Sequence, residues 1–199
     1  MTASVVLVCG PSGSGKTHIA EKCGLPVFRL DDFYKDGDDP SMPRSAELGI
    51  IDWDDPRAWR SDEALTALVD LCRDGSAEVP TYDMGQDRTT GTSTLRLEGH
   101  GVVVAEGVFA AELVDACRGL GILADAVVLH RSPWKNFVRR FTRDLRERRK
   151  PPLTLWRRGR LLMRDEPRLV ADATAKGCRP VSAHELAAVL LRLAAGARA

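Results

Sequence analysis

Residues 10–17 read Gly-Pro-Ser-Gly-Ser-Gly-Lys-Thr and follow the apolar run Val5 to Cys9. Glycines at this spacing let backbone N–H groups converge on an anion, and the helix expected next presents its positive end to the same point. Lys16 is then aimed at the outer phosphates of a nucleoside triphosphate, and the Thr17 hydroxyl at a Mg²⁺ ion. Gly10, Ser12, Gly13, Ser14, Gly15, Lys16, Thr17 and His18 are therefore the candidate ATP-binding residues. The motif does not say where the terminal phosphate goes. Water, a protein, another nucleotide and a small alcohol all remain open at this point.

Further acids stand just after two apolar runs. Glu106 closes Val102-Val103-Val104-Ala105, and Asp31-Asp32 follow Pro26 to Leu30. An acid at the tip of a buried strand in such a protein faces the Mg²⁺ and its waters. Thr17 and Glu106 together would supply the small protein share that Mg²⁺ accepts when phosphates and water supply the rest. A carboxylate at Asp31, facing the γ-phosphate, can take the proton of an attacking hydroxyl.

These residues need elements to hold them. The runs at 5–9, 26–30, 101–105 and 126–130 read as strands. Helices are expected after the glycine-rich turn to about Lys22, from a Ser61-Asp62-Glu63 cap to about Cys72, and from Ser132-Pro133 until Pro151-Pro152. A further helix is expected from about Leu155 into the 160s, and a last one from a capping box, Ser182 to Glu185. Residues 35–60 read as an irregular connection and 174–180 as a loop. Residues 77–98 read as a β-hairpin around Thr89-Thr90-Gly91. Apolar strands alternating with helices imply an α/β fold, a central parallel sheet with helices on both faces. In such sheets ligands bind beyond the carboxyl ends of the strands, so Gly10, Asp31 and Glu106 should meet in one cleft.

The chain has 199 residues, 44% of them hydrophobic and 29% charged, which suits one domain with a sizeable core. A net charge of +1 conceals an acidic stretch, 1–130 at −11, and a basic one, 131–168 at +10. A general nucleic-acid binder shows a broader basic surface. A local basic segment can instead close over a polyphosphate. Trp134, Phe137, Val138, Phe141 and Leu145 form one apolar stripe at helical spacing. Arg139, Arg143, Arg146 and Lys150 fall opposite, within about a 60° arc, with Arg140 beside them. That helix is expected to pack its stripe on the body and point its cations one way. Five scattered cysteines without metal-ligand spacing suit a reducing compartment. With no long apolar run and no cationic leader, a cytoplasmic protein without membrane contact is expected.

On these motifs the chain resembles the uridine kinase family, within the uridine kinase and phosphoribulokinase group of phosphate-loop kinases. The resemblance rests on GPSGSGKT, DDFYKD at 31–36, DWDDP at 52–56, PTYD at 80–83 with Arg88 after it, VVVAEG at 102–107 and RRFTRDLRER at 139–148. It implies a three-layer phosphate-loop sandwich over residues 1–199, with a substrate-binding insertion at about 35–98 and a helical lid at about 133–158. It implies ATP and Mg²⁺, with a small-molecule ribonucleoside, uridine or cytidine, as acceptor. Asp31 matches the family's acid-base aspartate, Tyr34 a substrate-site tyrosine, and Asp54 the aspartate on the ribose hydroxyls. Tyr82 matches a residue beside the base, Arg88 the arginine closing that segment, and Glu106 the magnesium-side glutamate. Arg140, Arg143 and Arg148 match lid arginines, the latter two with a catalytic role. Members of the family are often oligomers.

The chain also departs from that pattern. Met84 takes an aromatic position, and no histidine lies between Tyr82 and Arg88, which leaves Gln86 or Asp87 to read the base. The phosphate chemistry is matched more fully than the base recognition. A nicotinamide riboside kinase, another small-alcohol kinase and a non-catalytic nucleotide-binding protein are the competing readings. A switch GTPase is disfavoured, since the only asparagine is Asn136 and no guanine motif N-K-x-D occurs.

Overall fold

The computed structural model describes residues 3–45, 49–146 and 152–196. Five parallel strands form the sheet: β1 (Ser4–Cys9), β2 (Val27–Arg29), β5 (Val102–Glu106), β6 (Leu123–Leu129) and β7 (Arg179–Val181). Their order is β2-β5-β1-β6-β7. Side chains alternate across a strand, and the core divides accordingly. Val5, Leu7 and Cys9 of β1 face one cluster, with Val103, Ala105 and Val128. Val6 and Val8 face the other, with Val104, Val127 and Leu129. The first is covered by α2 (Ser61–Asp74), α3 (Val114–Gly119) and the end of α5 (Pro152–Ala175), the second by α1 (Lys16–Lys22) and α6 (Ala183–Gly196). Apolar side chains on both faces explain why the strands read as continuous runs rather than alternating ones. No helix among the described residues is long and apolar enough to cross a membrane. All five cysteines are free.

Outside the sheet, β3 (Ser76–Asp83) and β4 (Arg88–Arg96) pair as an antiparallel ribbon. Its turn is not at Thr89-Thr90-Gly91, which lie inside β4. Asp83 sets the turn instead, its carboxylate accepting from the amides of Gly85 (2.7 Å) and Gln86 (3.2 Å). Asp87 takes the left-handed conformation at φ 51°, which Asp tolerates better than most side chains. The helix at 61–74 has Arg60 as its N-cap, with no side-chain cap, so Ser61 is its first residue rather than its cap. The capping box on α6 is formed: Glu185 Oε2 accepts from Ser182 N at 2.7 Å, and Ser182 Oγ from Glu185 N at 3.3 Å. Residues 179 and 180, expected in a loop, form the edge strand β7 with Val181, where Pro180 is acceptable because an edge leaves some N–H positions unused.

Helices α4 (Pro133–Arg146) and α5 pack against each other over the phosphate loop. The face that α4 turns inward is centred one residue away from the apolar stripe. Asn136, Phe137 and Arg140 are buried, whereas Trp134 is 57% exposed. The reason is a polar one: Arg140 finds backbone acceptors beneath the helix, described below. Of the stripe, Phe137 and Phe141 pack against Trp156 of α5, whereas Trp134, Val138 and Leu145 stay exposed. Phe137 stacks between Trp134 and Phe141, and Trp156 meets it edge-on at 5.2 Å. Gly159 of α5 allows this approach, since a Cβ there would lie 2.6 Å from Phe137 Cε2.

Gly159→Ala should therefore lower the thermal midpoint. Overpacking costs about 1–3 kcal/mol, and the helix-propensity gain of alanine, about 1 kcal/mol, offsets only part of it. A midpoint equal to or above that of the parent protein would refute this packing of α4 on α5.

Candidate active site

The turn after β1 is a cradle with little room to spare. Gly13 has φ 84°, and a Cβ there would sit 2.9 Å from the Asn136 carbonyl oxygen and 3.1 Å from Arg140 Cβ. A side chain is thus opposed both by the backbone and by α4. Lys16, 8% exposed, donates to the Gly10 carbonyl at 2.8 Å and the Pro11 carbonyl at 3.3 Å. Its ammonium also lies 3.9 Å from Glu106 Oε2 at the tip of β5. Thr17 Oγ1 donates to Glu106 Oε1 at 2.6 Å. Strand pairing explains the meeting, because Val8 of β1 is in register with Glu106.

Asp31 arrives from the third strand tip. The turn Leu30–Phe33 follows β2, whose Arg29 is in register with Glu106. Asp31 Oδ1 occupies the space that a side chain at residue 107 would need, 2.9 Å from the position of a Gly107 Cβ. That oxygen is buried and meets no donor among the described residues. Burial pushes the Asp31 carboxyl up from its ordinary 3.8 to about 6, the Glu106 charge adds to the rise, and Lys16 opposes it. Asp32 is raised as well, chiefly by burial.

A cleft of about 1450 Å³ opens here, lined by Ser12, Lys16, Thr17, Asp31, Glu106 and residues of the hairpin, the 44–57 loop, α4 and α5. Its far wall is aromatic. Tyr34 packs against Trp53 (5.5 Å), Phe109 (5.8 Å) and Tyr82 (6.0 Å). The Tyr82 hydroxyl donates to the Lys35 carbonyl at 3.1 Å, and burial holds its phenol well above the usual range. Asp54 is exposed and lines the same cleft. Arg88 and His18 do not line it: Arg88 is exposed and turns to Asp38 Oδ2 at 3.5 Å, and His18 is exposed on α1.

The basic helix contributes less freely than its composition suggests. Arg140 is buried, donating to the Ser12 carbonyl and to the Gly159 carbonyl, each at 3.2 Å. It lies 3.9 Å from the buried Glu166, which accepts from Asn136 Nδ2 at 2.9 Å. Arg140 thus ties phosphate loop, α4 and α5 together. Arg143 reaches Ser12 Oγ at 3.3 Å and lines the cleft. Arg148 lies outside the described residues, as does Lys150. The sequence reading missed Trp53 and Phe109 as walls, and Arg164 and Arg168 on the cleft side of α5. The i, i+4 spacing of the two arginines was the available signal.

Thr17 and Glu106 suit a cation held mainly by other ligands. Among the described residues no three His, Cys, Asp or Glu side chains form a metal cage. A Mg²⁺ ion bound through one hydroxyl, one carboxylate, phosphate oxygens and water matches what is present.

The raised Asp31 pKa has a consequence for stability. The folded state holds this proton more tightly than the unfolded chain, so the group's favourable contribution is full below about pH 4. It is lost as the pH rises through about 6. A shift of this size corresponds to about 1–3 kcal/mol. Asp31→Asn should accordingly stabilise the ligand-free protein against denaturant at pH 7.5 and give no gain at pH 4. Equal or lower stability of the variant at pH 7.5 would contradict the buried, charge-crowded setting.

No protein-family model matches the chain. Curated relatives do. The chain is 28% identical over 151 residues to a uridine kinase of Limosilactobacillus reuteri, an alignment covering 72% of this chain and 66% of that one. It is 29% identical over 158 residues to a uridine kinase of Staphylococcus epidermidis, covering 73% and 70%. It thus spans about two thirds of the length of the curated relatives it matches. A solved structure described as a fructose transport system kinase of Silicibacter sp. TM1040 superposes with a TM-score of 0.57. That match covers 90% of this chain and 87% of the other at 18% identity, which shows the fold. By sequence the chain is similar to uridine kinases, and by architecture it shares the fold of that solved kinase.

Proposed function

We propose that this protein is an ATP- and Mg²⁺-dependent kinase that transfers the γ-phosphate to the 5′-hydroxyl of a ribonucleoside, uridine or cytidine. One observation carries the reading. Lys16 and Thr17 after β1, Asp31 after β2 and Glu106 at the end of β5 converge at one edge of the sheet, beside an aromatic-walled cavity.

The roles follow from the chemistry of each group. The loop amides and Lys16 bind the outer phosphates, with Lys16 exchanging its carbonyl partners for phosphate oxygens. Arg143, at the mouth of the loop, adds a cation where negative charge spreads in the transition state. When bound, Mg²⁺ neutralises part of the polyphosphate charge, and Thr17 and Glu106 are the residues that would hold it. Asp31 accepts the proton of the attacking hydroxyl. A carboxyl with a pKa raised to about 6 is a better base than an ordinary one and is still ionised at neutral pH. Tyr34, Trp53 and Tyr82 flank the base. Asp54 accepts from the ribose 2′- and 3′-hydroxyls. Within this reading, residues 35–98 form the acceptor-binding insertion and α4 with the start of α5 the lid.

The test is mass detection of the 5′-monophosphate and ADP from ATP, Mg²⁺ and a ribonucleoside panel. Lys16→Ala should abolish product, and Asp31→Asn should lower kcat by about 10²-fold or more with ATP binding nearly kept. Ribonucleosides should exceed their 2′-deoxy counterparts by about 10- to 150-fold in kcat/KM, because a missing hydroxyl leaves the Asp54 carboxylate half paired. Asp54→Ala should erase most of that preference. Equal use of both sugars by the parent enzyme would reject the ribose role. Full activity of Lys16→Ala would reject the kinase.

A further inference from the structure

The acceptor end of the cleft carries a charge and a hydrogen-bonding character that the phosphate chemistry does not require. Seven aspartates and three arginines among the described residues line it. The arginines are already engaged. Arg57 grips Asp55, with Nη2 to Oδ2 at 2.6 Å; Arg29 Nη2 lies 3.4 Å from Glu21 Oε1; and Arg44 donates to the Gly49 carbonyl at 3.2 Å. All three are exposed, so none forms a buried cationic seat for a carboxylate or phosphate.

The hairpin wall is poor in donors for the same reason. Gln86 does not line the cleft; its Nε2 donates to Asp83 Oδ2 at 2.7 Å. Arg88 is turned outward. The Tyr82 hydroxyl proton goes to the Lys35 carbonyl, and that of Thr90 to the Thr81 carbonyl at 3.1 Å. Thr81, Asp83, Met84, Gly85 and Asp87 complete the cleft side of the hairpin. Of these only the Thr81 hydroxyl is a side-chain donor with any strength, whereas two are carboxylates.

Asp87 is also held in place. Its carbonyl accepts from the Gly37 amide at 2.7 Å, and Asp36 Oδ1 accepts from the Thr89 amide at 2.8 Å. The start of β4 is thereby fixed to the loop after Tyr34. A Cβ at Gly37 would lie 3.0 Å from Asp87 Cβ and 3.7 Å from Trp53 Cη2, which places Asp87 beside the aromatic wall.

We infer that the acceptor site selects a nucleoside whose base presents an amino group or a positive charge, with Asp87 as the specificity-determining residue, and rejects anionic acceptors. This rests on the nucleoside-kinase reading above and narrows it. A carboxylate accepts from an exocyclic amine and repels a carbonyl edge, while a negative surround disfavours sugar acids and sugar phosphates.

Cytidine and uridine form the matched pair, since they differ where one carries an amino group and the other a carbonyl. The parent enzyme should use cytidine at least about tenfold better in kcat/KM, the scale of one charge-assisted hydrogen bond. Asp87→Asn keeps the turn, because Asn also tolerates the left-handed conformation, and its amide can offer either an N–H or an oxygen. The variant's cytidine-to-uridine ratio should therefore fall to within about threefold. Gluconate and ribose 5-phosphate should give no product above background.

Uridine used as well as or better than cytidine, an unchanged ratio in Asp87→Asn, or efficient phosphorylation of either anion would overturn the inference and leave a phosphoryl-transfer enzyme standing. Absence of product from every nucleoside would overturn the nucleoside-kinase reading itself, and this inference with it.

Discussion

A parallel sheet brings the carboxyl ends of its strands to one edge, and here that edge concentrates charge that the fold must tolerate. Glu106 is 8% exposed, beside the equally buried Lys16, and Asp31 Oδ1 is buried behind Gly107. Two carboxylates share a single lysine. Lys16 and the Thr17 hydroxyl compensate Glu106, whereas Asp31 is left with a raised pKa. Such a cluster costs stability. It is held by what surrounds it, because β2, β5 and β1 are adjacent strands whose apolar faces are buried on both sides. The sheet thus supplies the packing energy, and its edge holds the polar groups in a fixed arrangement.

The second constraint is the junction between the phosphate loop and the basic helices. Gly13 lies so close to α4 that loop and helix must move together. Arg140 reinforces this by donating to the carbonyls of Ser12 and Gly159, with Glu166 and Asn136 completing a buried polar network. The exposed aromatic rings on α4 and α5 stack mainly on one another. Residues 131–168 are therefore basic for two different reasons: Arg140 locks the loop in place, while Arg143, Arg164 and Arg168 face the cleft.

Much of this was legible in the residues. Three of the four apolar runs became strands buried on both faces, which leaves no alternation, the run at 26–30 became the short edge strand β2 with Arg29 exposed, and the chemistry-bearing residues sat at or directly after their ends. The Ser182–Glu185 box marked α6 without ambiguity. Other features depended on partners remote in sequence. The turn of the hairpin fell at Asp83–Asp87 because the Asp83 side chain caps it, whereas Thr89-Thr90-Gly91, a plausible turn in isolation, pairs across the ribbon. Helix α5 continues past Pro167 to Ala175, beyond the 160s where a local reading ends it. The inward face of α4 was misjudged by one residue, because an apolar stripe counts side chains and cannot see the backbone carbonyls that draw Arg140 under the helix. Tyr82, Trp53 and Phe109 come from three segments, and only the fold assembles them into one wall.

The central claim is that the sheet edge holds Asp31 as a base poised by its neighbours. The direct measurement is a ¹³C-carboxyl NMR titration of Asp31 in the nucleotide-free protein, repeated in Glu106→Gln. The account predicts a midpoint of about 6 in the parent protein, moving down when the Glu106 charge is removed. A midpoint near 4, the ordinary aspartate value, or one that ignores Glu106→Gln, would contradict it.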